Sequence, residues 1–140
     1  MKRSASAVWK GGLKDGRGAV STSSGVLSNV PYNFAMRFEN ETGTNPEELI
    51  AAAHAACFSM ALSAILSADG HTPDSVQAQA KVHLRNVDGK PTIQRIDLEV
   101  HGEVPGLGDD EFRGYAEKAK ADCVVSRALA GVPEIELTVT

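Results

Sequence analysis

The chain has 140 residues, a length that fits one domain with a single core. Hydrophobic residues make up 42% and charged residues 23%, which is typical of a globular protein and excludes a disordered or fibrous one. The net charge is −4, from 14 Lys and Arg against 18 Asp and Glu, so nothing in the charge indicates a nucleic-acid partner.

Two features predict a cytoplasmic protein. The charged N-terminal segment 1–6 is not followed by an apolar stretch, so no secretory signal is expected. The most apolar stretch, 49–66, is interpreted as too short and too rich in alanine to span a membrane. The two cysteines, Cys57 and Cys123, are far apart in sequence, and a structural disulfide between them is not expected in a reducing compartment.

The first part of the chain predicts strands. Residues 6–9 and 17–25 are expected to form a hairpin around the glycine-rich segment 10–16. Aromatic and apolar residues then alternate with a period of two over 32–38, which predicts another strand. A polar loop follows at 39–44.

The strongest local pattern is a helix start. Asn45 suits the N-cap position, Pro46 the first helical position, and Glu47 and Glu48 supply acids in the first turn, with Glu48 placed as in a capping box. The helix is predicted to run from 46 to about 67. Its body has no polar stripe, so we expect it to be buried on all sides.

The second half of the chain predicts a hairpin, a helix and a strand. The hairpin covers 75–104 with an Asp-Gly turn. Asp109 or Asp110 is expected to cap the helix, which runs to about residue 130, where a glycine stops it. The last strand is predicted over 135–139. Because strands and helices do not alternate as βαβ units, the fold class is predicted to be α+β.

The cysteines leave two readings open, since both fall on apolar faces of the predicted helices. They are either two inert buried thiols or a reactive thiol with a resolving partner. Cys57 lies about three turns into its helix, beyond the help of the helix dipole, and apolar surroundings raise a thiol pKa. A nucleophilic Cys57 therefore requires a cation, best an arginine, and Arg17 and Arg37 are the candidates.

The acids in the first turn predict a dimer. Glu47 precedes Cys57 by about 15 Å of helix, and Glu48 lies on the opposite face, so neither reaches the thiol of its own chain. A carboxylate that orients the arginine is therefore expected from a second subunit. An apolar helix about 30 Å long also needs more cover than one small chain provides.

Longer motifs resemble a known family. The segment 43–49 reads Gly-Thr-Asn-Pro-Glu-Glu-Leu, and 51–62 reads Ala-Ala-Ala-His-Ala-Ala-Cys-Phe-Ser-Met-Ala-Leu. Together with Arg-Phe-Glu at 37–39 and Cys-Val-Val-Ser at 123–126, they resemble the OsmC branch of the OsmC/Ohr peroxidases. The resemblance implies a single OsmC-like domain over 1–140, with antiparallel β-sheets packed on two long helices in an intertwined homodimer.

The same resemblance implies an activity and the roles of particular residues. It implies a thiol-dependent peroxidase that reduces organic hydroperoxides in defence against oxidative and osmotic stress, with an external dithiol, such as a lipoyl protein, as reductant and no cofactor. Cys57 matches the peroxidatic cysteine, Cys123 the resolving cysteine, Arg37 the arginine beside the thiolate and Glu47 the carboxylate that holds it. The Ohr branch takes its arginine from the early hairpin, so Arg17 is the alternative to Arg37.

Two positions call for separate expectations. The family usually has a proline directly after the resolving cysteine, whereas this chain has Val124. Without that proline we expect the helix to run on through Cys123 and to slow disulfide formation. His54, one turn before Cys57, suits a metal ligand by type, but no third ligand is evident and no metal is expected.

Two other functions stay open. The first is a non-enzymatic module that binds an apolar ligand and carries its cysteines as passengers, and the second is a structural dimer without turnover. In the peroxidase, apolar residues could line a pocket that favours organic hydroperoxides over hydrogen peroxide, but they are equally good core residues: the segment 32–38, Phe58, Met60 and Phe112.

Overall fold

The computed structural model describes all 140 residues. The chain falls into two compact units, residues 1–49 and 50–140, and each is built on its own three-stranded sheet. The boundary between them lies in the first turn of the longest helix. That the whole chain forms one domain stays a prediction.

The N-terminal unit contains an antiparallel sheet of the strands β1 (Ala5–Lys10), β2 (Arg17–Thr22) and β3 (Val30–Tyr32), in that order. The predicted hairpin is thereby confirmed. Gly18 of β2 pairs with Trp9 on one side and Tyr32 on the other. A Cβ at this position would lie 2.5 Å from the Tyr32 ring, so only glycine lets the strands and their aromatic rings approach this closely.

The predicted strand over 32–38 is wrong, because the chain forms a short helix, α1 (Phe34–Phe38), directly after β3. Asn33 caps this helix, its Oδ1 accepting a hydrogen bond from the amide of Met36 at 2.8 Å. The two-residue spacing that suggested a strand also places two phenylalanines four residues apart. In the helix their rings lie together, with centroids 5.0 Å apart.

The predicted long helix is confirmed as α2 (Pro46–Ala68). Asn45 begins it, since its Oδ1 accepts a hydrogen bond from the amide of Glu48 at 2.8 Å. The side-chain amide of Asn45 also donates to the carbonyl of Met36 in α1, at 3.3 Å. One side chain thus fixes the start of α2 and ties it to α1.

The C-terminal unit contains the predicted hairpin, formed by β4 (Ser75–Val87) and β5 (Lys90–Glu103). The two residues of its turn, Asp88 and Gly89, both have positive φ, as a tight hairpin turn requires. The strand β6 (Glu134–Val139) adds to β5 in parallel, a pairing that the sequence did not predict. A parallel neighbour needs a long crossover, and the helical segment between β5 and β6 supplies it.

The predicted single helix from about 109 to 130 is wrong, because two helices occupy this segment: α3 (Asp109–Asp122) and α4 (Val124–Ala128). Cys123 separates them, with φ −53° and ψ 129°, so the helix does not run on although valine replaces the family's proline. The N-cap of α3 is Gly108 and not one of the aspartates, which lie in the first turn.

Helix α2 packs against the C-terminal sheet with one face. Four of its residues at intervals of four are fully buried: His54, Phe58, Leu62 and Leu66. The apolar members of this row join a core formed with α3 and the inner side of the sheet, including Leu98, Val100, Phe112 and Ala116. Burial of this stripe is the main force that can hold the helix on the sheet.

The opposite side of α2 carries an exposed, alanine-rich strip, with Met60 75% accessible, formed by Ala52, Ala53, Ala56, Met60 and Ala64. Only 22% of the residues in the most apolar 18-residue stretch of α2 are buried. The expectation that this helix is buried on all sides is therefore wrong for a single chain. Its 23 residues are also long and apolar enough to cross a membrane, so the argument from shortness was wrong. Core helices of soluble proteins meet the same criterion.

Replacing Asn45 tests its role at the start of α2. We expect Asn45→Ala to lower the free energy of unfolding by about 1 kcal/mol, because the amide of Glu48 loses its acceptor. Asn45→Asp keeps that acceptor and is the matched control, which should retain most of the stability. Urea unfolding of the three proteins measures the effect, and equal losses for both variants would contradict this role.

Candidate active site

Arg37 and Glu47 form an ion pair within the N-terminal unit. Arg37 lies in the last turn of α1 and Glu47 in the first turn of α2. The ion pair therefore connects the same two helices that the hydrogen bonds of Asn45 connect. The Nη2 of Arg37 donates to Glu47 Oε1 at 2.8 Å, and its Nε donates to both carboxylate oxygens at 3.2 and 3.3 Å. The forked contact fixes the plane of the guanidinium group.

The ion pair leaves Arg37 available to another anion. The Glu47 side chain is 11% exposed, whereas that of Arg37 is 39% exposed. The carboxylate engages Nε and one terminal nitrogen, so the other terminal nitrogen can still donate. Glu47 thus acts as a buried anchor for a cation that faces outward.

Arg17, the alternative cation, has a different environment. It is exposed at the beginning of β2, opposite Lys10, and takes part in no ion pair. Nothing within its unit fixes its side chain as Glu47 fixes Arg37.

An aromatic cavity of about 250 Å³ adjoins Arg37 in the N-terminal unit. It is lined by residues of β1, the loop after it, β3 and α1: Trp9, Leu13, Tyr32, Asn33, Phe34, Arg37 and Phe38. Part of the segment 32–38 therefore lines a cavity, as one of its two readings expected. Phe58 and Phe112 belong to the core of the C-terminal unit, where Phe112 also lines a cavity of about 260 Å³, and Met60 is exposed.

The two cysteines meet within the C-terminal unit. Cys57 lies in the middle of α2, and Cys123 lies at the break between α3 and α4, outside either helix. Both are free thiols, and their sulfur atoms are 3.0 Å apart and share a hydrogen bond. Cys123 is buried, whereas Cys57 is only partly buried. Of the two residues, Cys57 is therefore the more exposed.

The pKa values of the two thiols shift in opposite directions, and no cation contributes to either shift. Burial raises the pKa of Cys57, and its hydrogen bond with Cys123 raises it further. Burial would also raise the pKa of Cys123, but the hydrogen bonds with Cys57 and with Ser126 outweigh it and lower that pKa. No cation is among the groups that act on Cys57. Its ionisation near neutral pH therefore requires a positive charge from elsewhere.

One pair of functional candidates was missed by sequence reasoning. His54 is fully buried, and its Nε2 lies 2.7 Å from the Oγ of Ser126, which is buried as well. The spacing of His54 and Cys57 on one helix drew attention to metal binding only. Ser126 is 72 residues away in sequence, so no local pattern could have paired it with His54.

The structure therefore brings the predicted residues together in two groups. Arg37 and Glu47 form a fixed ion pair in the N-terminal unit, and Cys57 and Cys123 form a thiol pair in the C-terminal unit. Fold and site together define an α+β protein in which a cysteine of a long apolar helix is paired with a second cysteine at a break between two shorter helices.

Comparison with known proteins identifies the family. A model of the OsmC-like protein family matches residues 39–138. Peroxiredoxin OsmC of Escherichia coli K12 is 54% identical over 121 residues, which cover 86% of this chain and 85% of that protein. The organic hydroperoxide resistance protein of Xanthomonas axonopodis pv. citri is 31% identical over 128 residues, 91% of this chain and 87% of the relative.

Solved structures give the same result for the fold. An organic hydroperoxide resistance protein from Elizabethkingia anophelis superposes with a TM-score of 0.74 at 30% identity, covering 100% of this chain and 97% of the other. The chain belongs to the OsmC-like family. The resemblance recognised in its sequence and the predicted α+β fold class are both confirmed.

Proposed function

We propose that this chain is a thiol-dependent peroxidase that reduces organic hydroperoxides to alcohols in defence against oxidative and osmotic stress. The observation that carries the proposal is the pair of free thiols with their sulfurs 3.0 Å apart, one of them on a residue that is only partly buried. The relatives named peroxiredoxin and organic hydroperoxide resistance protein support the same reaction class.

In the first step, the Cys57 thiolate attacks the distal oxygen of the hydroperoxide. An S–O bond forms, the O–O bond breaks, and the alkoxide takes up a proton and leaves as an alcohol. The sulfur is oxidised by two electrons to a sulfenic acid, and the peroxide is reduced by the same two electrons. Cys57 suits this role because it is the more exposed of the two thiols.

This step needs a cation at Cys57, and we assign that role to Arg37. Burial raises the Cys57 pKa, so a guanidinium group is required to stabilise the thiolate and the developing charge on the peroxide oxygen. Arg37 is held by Glu47 with part of its fork unused, whereas Arg17 has no such anchor. The aromatic cavity beside Arg37 suits the organic part of the substrate.

In the second step, the sulfur of Cys123 attacks the sulfenic acid of Cys57. The S–S bond forms, the S–O bond breaks, and water leaves. A disulfide is about 2.05 Å long, so the sulfurs would have to move by roughly 1 Å from their reduced positions. An external dithiol, for which a lipoyl protein is suited, then reduces the disulfide, and the cytoplasm is the compartment that suits such a cycle.

We further propose that the active form is a homodimer with shared sites, in which Arg37 and Glu47 of one subunit serve Cys57 of the other. The length of helix between Glu47 and Cys57, about 15 Å, supports this arrangement, because the carboxylate cannot reach the thiol of its own chain. The exposed alanine-rich surface of α2 with Met60 supports it too, because such a surface can be covered by a second copy.

The choice of cation can be tested by measuring hydroperoxide consumption with a dithiol. We expect Arg37→Ala to slow the reaction of Cys57 about 100-fold, because one fixed donor of transition-state stabilisation is lost. Arg37→Lys should recover only part of the rate, since lysine keeps the charge but not the fork. Arg17→Ala is the matched control and should react at nearly the wild-type rate.

Other outcomes of that assay separate the alternatives. If Arg17→Ala lowers the rate of hydroperoxide consumption more than Arg37→Ala does, then Arg17 is the cation that stabilises the Cys57 thiolate, as in the Ohr branch. Full turnover by Cys57→Ser would exclude the proposed nucleophile. A wild-type protein that binds an apolar probe in the aromatic cavity but consumes no hydroperoxide would be the non-enzymatic module.

Mixing two inactive variants tests whether the sites are shared. In a mixed dimer of Cys57→Ser and Arg37→Ala subunits, one site combines an intact Cys57 with an intact Arg37 from the other subunit. We expect activity to reappear when the two variants are unfolded and refolded together. The control mixture of Cys57→Ser with the double variant Cys57→Ser, Arg37→Ala should stay inactive, and no recovery in the test mixture would place both groups in one chain.

A further inference from the structure

A buried polar pair in the C-terminal unit takes no part in the steps described above. His54 is fully buried in α2, in the same row as the apolar residues Phe58 and Leu62, and shares a 2.7 Å hydrogen bond with the Ser126 hydroxyl of α4. The other ring nitrogen of His54, Nδ1, has no partner. Burying an imidazole that is only half satisfied is costly, which points to a use beyond packing.

The pair lies beside the cysteines and is connected to them. His54 is one helical turn before Cys57, and Ser126 is three residues after Cys123. The amide and the hydroxyl of Ser126 both lower the pKa of the Cys123 thiol. The groups form a polar path in the order Cys57 sulfur, Cys123 sulfur, Ser126 hydroxyl and His54 Nε2, with hydrogen bonds at its first and last links.

The electrostatic surroundings keep His54 able to accept a proton. Burial lowers its pKa and is the only cause acting on it, so the imidazole is neutral near pH 7. The elements packed on this face of α2 contribute apolar side chains to the core, from β4, β5 and α3. On α4, Arg127 is exposed. The titratable groups along the polar path are therefore the two thiols.

We propose that His54, acting through the hydroxyl of Ser126, is the base that removes the proton from Cys123 when this cysteine attacks the oxidised Cys57. The inference rests on the proposed function. His54 touches neither the substrate nor the reacting sulfurs, so it is a positioning residue for proton transfer. Ser126 is the group that stands between His54 and the Cys123 thiol in the polar path, since it is hydrogen-bonded to His54 and lowers the pKa of that thiol.

The proton balance of the step is complete. The thiol proton of Cys123 passes to the Ser126 oxygen while the hydroxyl proton of Ser126 passes to Nε2 of His54. The Cys123 sulfur then forms the S–S bond, and the hydroxide that leaves Cys57 takes a proton from solvent to become water. His54 releases the proton to solvent after the disulfide has formed, which restores the neutral imidazole and balances the proton that the hydroxide takes up. One sulfur is oxidised and the other reduced, with no further reactant.

Single-turnover kinetics with cumene hydroperoxide separate this role from the first step. We expect His54→Gln to form the Cys57 sulfenic acid at the wild-type rate, because the amide keeps a hydrogen-bonding group toward Ser126. Disulfide formation should slow about 100-fold, and it is measured as the rate at which dimedone-reactive sulfenic acid disappears. His101→Gln, on an exposed histidine bonded to the carbonyl of Thr140, is the control and should leave both steps unchanged.

The pH profile distinguishes a base from a structural tie. The wild-type second step should vary little above the lowered pKa of His54, whereas that of His54→Gln should fall about tenfold per pH unit below the pKa of the Cys123 thiol. Ser126→Ala should behave like His54→Gln, and Ser126→Thr should retain the fast step. If His54→Gln does not fold, the two Ser126 variants decide.

Two results overturn the inference, and they are distinguishable. Wild-type rates and an unchanged pH profile of the second step in His54→Gln and Ser126→Ala would make the pair a structural tie only. A wild-type protein whose Cys57 is not oxidised at all would refute the proposed function and, with it, any second step.

Discussion

The geometry of the cysteine pair depends on how α2 packs in the C-terminal unit. Its buried row of four residues holds the helix on the sheet and on α3, which fixes where the sulfur of Cys57 lies. The chain on the other side must then leave helical geometry at Cys123 to bring the second sulfur to 3.0 Å. Because α4 begins at the next residue, Ser126 also meets α2, and a polar contact forms beside the thiols.

This packing brings the two sulfurs into contact, but it also disfavours the ionised form of Cys57. The environment that aligns the sulfurs also raises the pKa of Cys57 and supplies it with no cation. The N-terminal unit contains the complementary feature, an arginine anchored by a nearly buried carboxylate. In the proposed dimer the two features meet across subunits, so assembly rather than folding of one chain would complete the site. The exposed alanine-rich surface of α2 is then the surface that assembly covers.

Sequence reasoning succeeded where the determining interactions are local. The start of α2 was predicted because Asn45 and Pro46 occupy cap and first-turn positions, and the hairpin of β4 and β5 because alternation and an Asp-Gly turn agree. The family motifs identified the four candidate residues, whose roles remain proposals. Over 32–38, alternating apolar residues fitted both a strand and a helix, and the Asn33 cap favoured the helix.

The features that escaped prediction depend on contacts between distant parts of the chain. The break at Cys123 carries no proline or glycine signal and coincides with the contacts of Cys123 with Cys57 and of Ser126 with His54. The parallel pairing of β6 depends on the path of the whole crossover. Exposure of one side of α2 could not be deduced from its composition, because an apolar surface can be covered by its own chain or by another.

The most direct measurement is the mass of the reduced protein after one equivalent of cumene hydroperoxide, followed by peptide mapping. The account predicts the loss of two hydrogens and a bond between Cys57 and Cys123. A stable gain of one oxygen on Cys57 would contradict the resolving role of Cys123. An unchanged mass would contradict the central claim, because a thiol pair that does not react with the hydroperoxide is not a peroxidase site.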